Sequence, residues 1–418
     1  MATYIRLTDY KSSDEKEQEF FNPENRYEAK QEDFEKIPGS PIAYWVSNKI
    51  RDIFAVNTEI GSFIELVEGL HSRNNEYYLK NWYETNLNDC SLKEYNINKK
   101  WYPINKGGSF QKWYGNNEHI VLWKNDGYEM KNFKKATIGK CLNYFNQGIT
   151  FTSVTSGVNS FRVSPMGYLY DVSGPTLYLL KFKEDILIFL SLLNTKVIST
   201  FIKLINPTLS IQIGDIKKLP IIFPKQDSIK QKIDSITQEC INISKEEWDS
   251  RETSWDFAQN ELLRILNDEC SILNEKPKLE TIYNRYCEYW RKKFNQLHQN
   301  EEELNRLFID IYELQDELTP DVELKDITIL KNEAKIYIPT QERGNEGTGG
   351  KLVFQADEIM KQFISYSVGV MFGRYSLDFD GLWIANIGQD ITMHSHAEHG
   401  NEKVAYIFDA PEKKSRAG

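Results

Sequence analysis

The alternation of apolar and polar positions separates the start of the chain from the remainder. Residues 1–35 are polar and weakly patterned, which is typical of a connector. Pro41 suits the first position of a helix. The apolar residues after it repeat at helical spacing and comprise Ile42, Trp45, Val46, Ile50 and Phe54. This spacing predicts a docking helix that begins at Pro41.

Residues 60–224 have the pattern of a mixed domain built from short strands. Alternating or aromatic-rich runs are separated by Gly, Asn and Asp, which favour turns. Residues 148–174 predict three strands with small-residue turns between them. Residues 186–205 predict one apolar helix that Asn206-Pro207 ends. The alternation after this helix predicts an edge strand, because it finishes on two prolines.

From residue 226 to about residue 318 the period becomes helical and predicts extended helices. Residues 301–326 contain ten acids against Arg306 and Lys325, a net charge of −8, so we expect this face to avoid phosphates. Residues 341–350 predict a flexible loop, and a last helix is predicted from about Ala356 to Phe372. The apolar stripe of the acidic segment consists of Leu304, Leu307, Phe308, Ile311 and Leu314.

Together these patterns predict an α+β protein. A mixed, short-stranded β/α domain is followed by a long-helix spacer and a partial C-terminal helical region. The predicted units are residues 1–60 as linker and docking helix, 61–225 as recognition domain, 226–300 as helical spacer, 301–382 as C-terminal helical region and 383–418 as an atypical tail.

Charge changes this picture in one place. The 418 residues carry a formal net charge of −10, but residues 99–140 contain nine lysines against three acids, a local net charge of +6. A local reversal of sign is what a polyanion-binding surface requires. Large aromatic residues interleave with asparagines in the same stretch. Each single aromatic ring is better explained as part of a core, so the functional interpretation rests on the whole cluster.

Side-chain chemistry then assigns roles for contact with DNA. Lysines neutralise phosphates, the carboxamides of asparagine and the guanidinium of Arg162 pair with base edges, and the aromatic rings build the platform. For Ser153 and Asn159 the alternative is turn formation, and for Lys217 and Lys218 it is protection of a strand edge. The candidate DNA-binding residues are Lys106, Gly107, Gly108, Lys112, Trp113, Tyr114, Asn116, Asn117, Trp123, Lys124, Asn125, Lys131, Ser153, Asn159, Arg162, Lys217 and Lys218.

Other chemistries have weaker support in the sequence. His394, His396 and His399 form an H-x-H-x-x-H string without a Cys or acid at ligand spacing, so we expect no metal site. Asp321 and Glu333-Ala334-Lys335 form a loose D…E-x-K arrangement, which leaves a Mg²⁺-dependent nuclease as a minor alternative. Five widely spaced cysteines predict reduced thiols, and no apolar run has the length of a membrane span. These features predict a cytoplasmic protein without a membrane partner.

Six stretches between about Thr3 and Leu382 carry a further signal: IPGSPIAYWVSNKIRDIF, KWYPINKGGSFQKWYGNNEHIVLWKNDGYEMKNF, LLNTKVISTFIKLINPTLSIQIGDIKKLPI, WDSRETSWDF, NEEELNRLFIDIYELQDELTPDV and FGRYSLD. These stretches resemble the PglX-type adenine-specific DNA methyltransferases of BREX phage-defence systems. The third is also similar to specificity subunits of restriction-modification enzymes. The resemblance implies a DNA target-recognition domain and a helical region that follow a catalytic domain.

The resemblance also implies that this chain lacks catalytic motifs. Family members carry a glycine-rich S-adenosylmethionine loop and an N-P-P-Y/F motif that holds a flipped adenine. The nearest string here, Asn22-Pro23-Glu24-Asn25, has neither the second proline nor the aromatic ring. We therefore expect no catalytic residue and no cofactor in this chain, with S-adenosylmethionine used by the full-length enzymes. The expected partners are double-stranded DNA, a methyltransferase domain that is lost or on a separate chain, and other BREX proteins. Alternatives are a scaffold of a defence complex or a complete enzyme.

Overall fold

Short strands and longer helices make up the computed structural model, which describes residues 2–92, 95–154, 159–270, 277–337 and 350–382. The strands are β1 Ala2–Ile5, β2 Arg26–Ala29, β3 Thr58–Glu59, β4 Ile64–Glu65, β5 Leu79–Asn81, β6 Trp101–Asn105, β7 His119–Leu122, β8 Gly148–Phe151, β9 Phe161–Ser164, β10 Leu169–Tyr170, β11 Thr176–Leu179, β12 Pro220–Ile221, β13 Ala334–Tyr337 and β14 Lys351–Phe354. The helices are α1 Ser13–Glu19, α2 Gln31–Phe34, α3 Asn48–Val56, α4 Asn75–Tyr78, α5 Lys124–Asn132, α6 Ile186–Leu193, α7 Lys196–Ile205, α8 Ile213–Lys217, α9 Asp227–Asp249, α10 Glu261–Cys270, α11 Leu279–Ile311 and α12 Ala356–Met371. Small sheets beside predominant helices confirm the α+β class. The atypical tail and almost all of the predicted loop at 341–350 lie outside the described residues.

The polar start of the chain is folded and is not an extended connector. Strands β1 and β2 pair antiparallel, and the ring of Tyr4 stacks on that of Tyr44 at 4.7 Å. The predicted start of the docking helix at Pro41 is wrong, because the helix begins at Asn48. The hydroxyl of Ser47 accepts a hydrogen bond from the amide of Ile50 at 3.2 Å and thereby caps the first turn.

Two four-stranded sheets form the β part of the molecule. The first has the order β10-β6-β7-β5 and the second the order β4-β11-β8-β9. The three strands predicted between residues 148 and 174 are present as β8, β9 and β10. Strand β10 pairs parallel with β6, whereas β8 and β9 pair with each other in the second sheet. The predicted strands are therefore divided between two sheets.

The apolar segment at 186–205 forms two helices, α6 and α7, bent by 74°. Thr195 breaks the segment, and its hydroxyl accepts a hydrogen bond from the amide of Ile198 to cap α7. Within the described part of the chain no single helix is long and apolar enough to span a membrane, and this bent pair qualifies only when its two arms are taken together. The predicted edge strand is largely replaced by α8, so Lys217 ends a helix and edge protection is not its role.

The larger hydrophobic core joins the second sheet to the helices. Phe151 and Phe161 of the sheet belong to the same core as Trp290 and Phe308 of α11. A smaller core lies against the first sheet and contains Trp101, Tyr102 and Trp123. Most aromatic residues of the basic segment are thus buried, although Tyr128 is 68% exposed. The larger core crosses the predicted boundary at residues 225 and 226.

A buried ion pair ties the segment between β6 and β7 to the long helix α11. The ammonium of Lys112 contacts the carboxylate of Glu301, and their side chains are only 3% and 5% exposed. The indole nitrogen of Trp113 donates to the other carboxylate oxygen of Glu301 at 2.8 Å. The backbone amide of Lys112 also donates to the hydroxyl of Thr328 at 3.2 Å. Three segments that are far apart in sequence are therefore fixed together.

We expect Lys112→Met to lower the free energy of unfolding by about 3–5 kcal/mol, because the Glu301 carboxylate stays buried without its cation. Urea denaturation followed by circular dichroism measures the change. The exposed control Lys124→Met should stay within about 0.5 kcal/mol of the wild type. The double variant Lys112→Met/Glu301→Gln should regain part of the loss. A loss below about 1 kcal/mol in the single variant would show that the pair is not held as described.

Candidate nucleic-acid interface

Three loops meet at one end of the two sheets. The register pairs Asn105 with Tyr170 in parallel strands, and Phe151 with Phe161 in antiparallel strands. The chain therefore leaves β6 and β10 at the same end of the first sheet, and after β8 the amide of Ser153 donates to the carbonyl of Ser173 at 3.2 Å. The hydroxyl of Ser173 donates to the carbonyl of Lys106 at 2.8 Å and links two of the loops. We call this surface the loop end; it comprises residues 106–109, 152–154, 159–160 and 171–175.

Two glycines let the first of these loops close. Gly107 and Gly108 have φ values of +78° and +113°. A Cβ atom on Gly107 would lie 2.6 Å from the carbonyl oxygen of Ser173, and one on Gly108 would lie 2.8 Å from the side-chain nitrogen of Asn116. Glycine is therefore required on steric grounds at both positions. Gly108 is exposed, so its backbone is open to a ligand.

The polar side chains of the loop end are mostly engaged with one another. Lys106 is half-buried, with its ammonium 3.8 Å from the carboxylate of Asp171. The carboxamide of Asn116 donates to the carbonyl of Ser109 at 2.9 Å. The hydroxyl of Ser153 donates to the carbonyl of Val172 at 3.3 Å. The loop end consequently offers backbone and neutral polar groups with little net charge of its own.

Most of the exposed lysines of residues 99–140 lie at the opposite end of the first sheet. Because Trp101 of β6 pairs with Leu122 of β7, residues 99–100 and 124–135 leave the sheet together. This surface, the basic end, is separated from the loop end by the length of β6, roughly 15 Å. Lys131 makes an ion pair with Asp126 at 2.6 Å. The exposed lysines of the basic end are Lys100, Lys124, Lys131, Lys134 and Lys135.

A left-handed turn opens α5 at the basic end. Asn125, Asp126 and Gly127 have φ values of 52°, 55° and 67°, and the chain continues from them into the helix and not into a paired strand. A Cβ atom on Gly127 would lie 2.7 Å from the buried ring of Trp123. The turn packs on that ring and leaves Lys124 and Asn125 exposed.

Several predicted DNA contacts are buried inside the protein, where they are not open to direct contact with DNA. Lys112 is paired with Glu301. The guanidinium of Arg162 donates to the carbonyl of Gln111 at 3.1 Å. Burial lowers the pKa of Arg162 to about 10. The carboxamide of Asn159 donates to the carbonyl of Leu193 at 3.0 Å. The other buried members of the predicted set are Gly107, Trp113, Tyr114, Asn117 and Trp123.

A cleft of about 740 Å³ separates the loop end from the helical region. One wall is the loop after β6 with Asn116 and His119. The opposite wall includes the segment WDSRETSWDF, which the sequence singled out only by its resemblance to a family. Sequence analysis missed the rest of that wall, because no motif marks it. Its residues are Asn260, Lys331, Asn332, Lys361, Gln362 and Ser365.

The charges behind this wall are largely paired. Arg251 bridges Glu247 and Glu333, with 3.1 Å between its Nη2 atom and Oε2 of Glu333. The carboxamide of Gln362 donates to the other Glu333 oxygen at 2.6 Å. Burial raises the pKa of Glu247, whereas burial and nearby Lys106 lower the pKa of His119. His119 is accordingly neutral near pH 7.

This pairing removes the acid that the nuclease alternative requires. Glu333 is neutralised by Arg251 and is not open to a cation. Across residues 2–382, in the parts that the structure describes, no group of three His, Cys, Asp or Glu side chains is arranged to hold a metal ion. The histidine string at His394, His396 and His399 lies outside the described residues.

Two lysines of the cleft differ in their surroundings. Partial enclosure in the cleft, with Arg251, Lys112 and Arg162 nearby, lowers the pKa of Lys331 to about 8, although Glu247 opposes the shift. Hydrogen bonds to Glu358 and Asp357 raise the pKa of Lys361. Lys331 lies over the ring of Phe110 at 5.0 Å.

Limited acetylation near neutral pH should modify Lys331 well before Lys361. Only a neutral amine is nucleophilic, and a lowered pKa raises the neutral fraction of Lys331 by about two orders of magnitude relative to an ordinary lysine. Peptide mass spectrometry over a time course measures both sites. Both side chains reach solvent, so the reagent has access to each of them. Equal rates at the two lysines would contradict the lowered pKa.

The chain is similar to known methyltransferases over nearly its whole length, although no family model matches it. It is 35% identical over 415 residues to the adenine-specific methyltransferase PglX of Lacticaseibacillus casei (strain Zhang), which covers 94% of this chain and 32% of that protein. It is 32% identical over 362 residues to the adenine-specific methyltransferase BrxX of Escherichia coli O9:H4 (strain HS), which covers 86% of this chain and 28% of that protein. The resemblance predicted from the quoted stretches is thereby confirmed.

The chain spans about a third of the length of these curated relatives. Among solved structures, the type IIL restriction-modification enzyme MmeI in complex with DNA is similar with a TM-score of 0.38 and 10% identity. That alignment covers 75% of this chain and 36% of the other.

Proposed function

Over nearly its whole length the chain is homologous to PglX- and BrxX-type adenine-specific methyltransferases, of which it spans about a third, and from this premise we propose that it recognises DNA for such an enzyme in phage defence. We further propose that methyl transfer and S-adenosylmethionine binding reside outside these 418 residues. The proposal is supported by Asn22-Pro23-Glu24-Asn25, which lacks the second proline and the ring needed to hold a flipped adenine.

The observation that carries the proposal is the placement of basic and amide side chains at both ends of one small sheet in an acidic protein, half-buried at the loop end and exposed at the basic end. The two ends lie roughly 15 Å apart, a separation comparable to the width of a major groove, about 12 Å. A duplex laid along β6 and β7 can therefore meet both. In this arrangement Lys106, Lys124 and Lys131 neutralise phosphates, and Asn116 and Asn125 approach base edges.

The buried members of the original set take a supporting role in this proposal. Lys112, Arg162 and Asn159 bind protein carbonyls or a carboxylate, so they position the loops and do not touch DNA. Lys217 and Lys218 are half-buried at the end of α8 and remain candidate phosphate contacts at the margin. The partner of the recognition surface is double-stranded DNA, and the partner of the whole chain is the methyltransferase domain.

A protein-interaction scaffold is the second candidate, favoured by one observation on α12. Apolar side chains at helical spacing are exposed along this helix: Ile364, Val368, Met371 and Phe372. Such a scaffold has no need of affinity for DNA. The salt dependence of DNA binding therefore separates the two candidates.

We expect the purified chain to bind a fluorescent duplex with an affinity that falls as salt rises. The triple variant of Lys106, Lys124 and Lys131 to Ala should make the slope of log K against log salt shallower by about 2 to 3, because each phosphate contact contributes about 0.9. Fluorescence anisotropy over a salt series measures both slopes.

A matched control removes the same charge elsewhere. The exposed lysines Lys232, Lys292 and Lys325 lie on the helical region, and their replacement by Ala should leave the slope unchanged. No binding by the wild type at low salt would reject DNA recognition by this chain and favour the scaffold. Equal changes in both triple variants would reject the assigned contacts, since only the general field would then matter.

A further inference from the structure

The cleft is lined by polar side chains whose hydrogen-bonding capacity is not fully used within the described residues. Gln111 is only 4% exposed, and its carboxamide makes no hydrogen bond to any described residue. Asn260 is 5% exposed, and its carboxamide oxygen accepts from the amide of Leu262 at 3.1 Å while its nitrogen is unused. The indole N–H of Trp248, a residue only 6% exposed, also has no acceptor. Buried polar groups are nearly always hydrogen-bonded, so the unpartnered indole N–H of Trp248, beside two carboxamides with unused hydrogen-bonding capacity, indicates a ligand.

These groups are held in fixed positions. Gly115, at φ +128°, leaves no room between its neighbours: a Cβ atom there would lie 2.8 Å from the ring of Trp248 and 2.9 Å from Cγ of Gln111. The two residues directly after Gln111, Lys112 and Trp113, are anchored by their contacts with Glu301. The unpaired groups are thus part of a rigid wall and are not a consequence of loose packing.

The chemistry of this wall fits a nucleobase. A carboxamide offers one acceptor and two donors in a plane, which match the donor and acceptor pairs on the edge of a base. The flat ring of Trp248 lines the same cleft. The volume lies within the range of small-molecule sites, about 300–1,000 Å³.

The mouth of the cleft fits the phosphate of the same ligand. Within the described residues no carboxylate lies at ion-pair distance from Lys331, whereas Lys361 pairs with Glu358 at 2.6 Å and Lys106 is near Asp171. Among the lysines that line the cleft, Lys331 is therefore the one whose ammonium is not neutralised by a carboxylate of the described residues. The exposed backbone at Gly108 adds a second group suited to a phosphate oxygen.

We propose that this cleft binds one unpaired nucleotide, with its base against Gln111, Asn260 and Trp248 and its phosphate at Lys331. A base in a duplex has its pairing edge engaged and both faces stacked, so only an unpaired nucleotide can use these groups. Such a ligand has two sources. One is a nucleotide unstacked from DNA at the loop end, and for this source the inference rests on the proposed function. A free mononucleotide has the same chemistry and is the other source.

Calorimetric titration of the full chain tests the proposal with single-stranded oligonucleotides, each of the four deoxynucleoside monophosphates, deoxyadenosine and inorganic phosphate. Gln111→Met keeps the side-chain volume but removes both hydrogen-bonding groups. We expect it to weaken nucleotide binding roughly 5- to 100-fold, as for loss of one bidentate base contact. Thermal unfolding measured alongside excludes a folding defect.

A second variant isolates the phosphate. Lys331→Gln, at an exposed position, should weaken binding of the monophosphate but not of deoxyadenosine, whereas the exposed control Lys335→Gln should change neither. Binding of single strands alone assigns the ligand to DNA, and binding of monophosphates as well assigns a free nucleotide site. Either result supports the cleft.

Three results would overturn the proposal. They are the absence of wild-type binding to any nucleotide or single strand, unchanged binding by Gln111→Met, and binding of inorganic phosphate as tight as that of the monophosphates. Duplex binding in the salt series without any nucleotide binding rejects the cleft and leaves DNA recognition intact. Nucleotide binding without duplex affinity rejects DNA recognition and retains the cleft.

Discussion

The buried carboxylate of Glu301 organises the surface of the β part although it lies on a helix. One oxygen receives the ammonium of Lys112 and the other the indole N–H of Trp113, so both donors point inward. A carboxylate in this environment is stable only with such partners, and each donor is equally dependent on it. The segment between β6 and β7 is therefore pinned at its centre. The glycine loop before this anchor and, beyond β7, the turn of α5 reach the surface.

Strand topology determines how the positive charge is distributed. The nine lysines of residues 99–140 form one cluster in the sequence, yet Lys112 is buried and the antiparallel pairing of β6 and β7 separates others to opposite ends of a sheet. Lys106 lies at the loop end, whereas Lys124 and Lys131 lie at the basic end. A basic segment can thus present two separate surfaces when a hairpin runs through it. This separation suits an extended ligand better than a compact one.

The cleft combines groups from distant parts of the chain. Gln111 comes from the basic segment, Trp248 from the end of α9, and Lys331 from the loop before β13. The same helices that form the larger core also form the far wall of the cleft, so the helical region is more than a spacer. The helical region packs against Phe151 and Phe161 of the second sheet and is therefore rigid. This rigidity holds the unpaired polar groups of the cleft in fixed positions.

The sequence by itself determined the elements whose signal is local. The helical period identified α9, α11 and α12, the turn residues delimited β8, β9 and β10, and the quoted stretches identified the methyltransferases that the chain resembles. It did not determine the start of α3, where the cap at Ser47 prevails over Pro41, or the bend at Thr195. Tertiary structure alone decided that Lys112, Arg162 and Asn159 are buried and that Gln111 faces the cleft. The physical reason is that periodicity shows which face a residue occupies, whereas its charge partner is chosen by packing between segments nearly two hundred residues apart, as for Lys112 and Glu301.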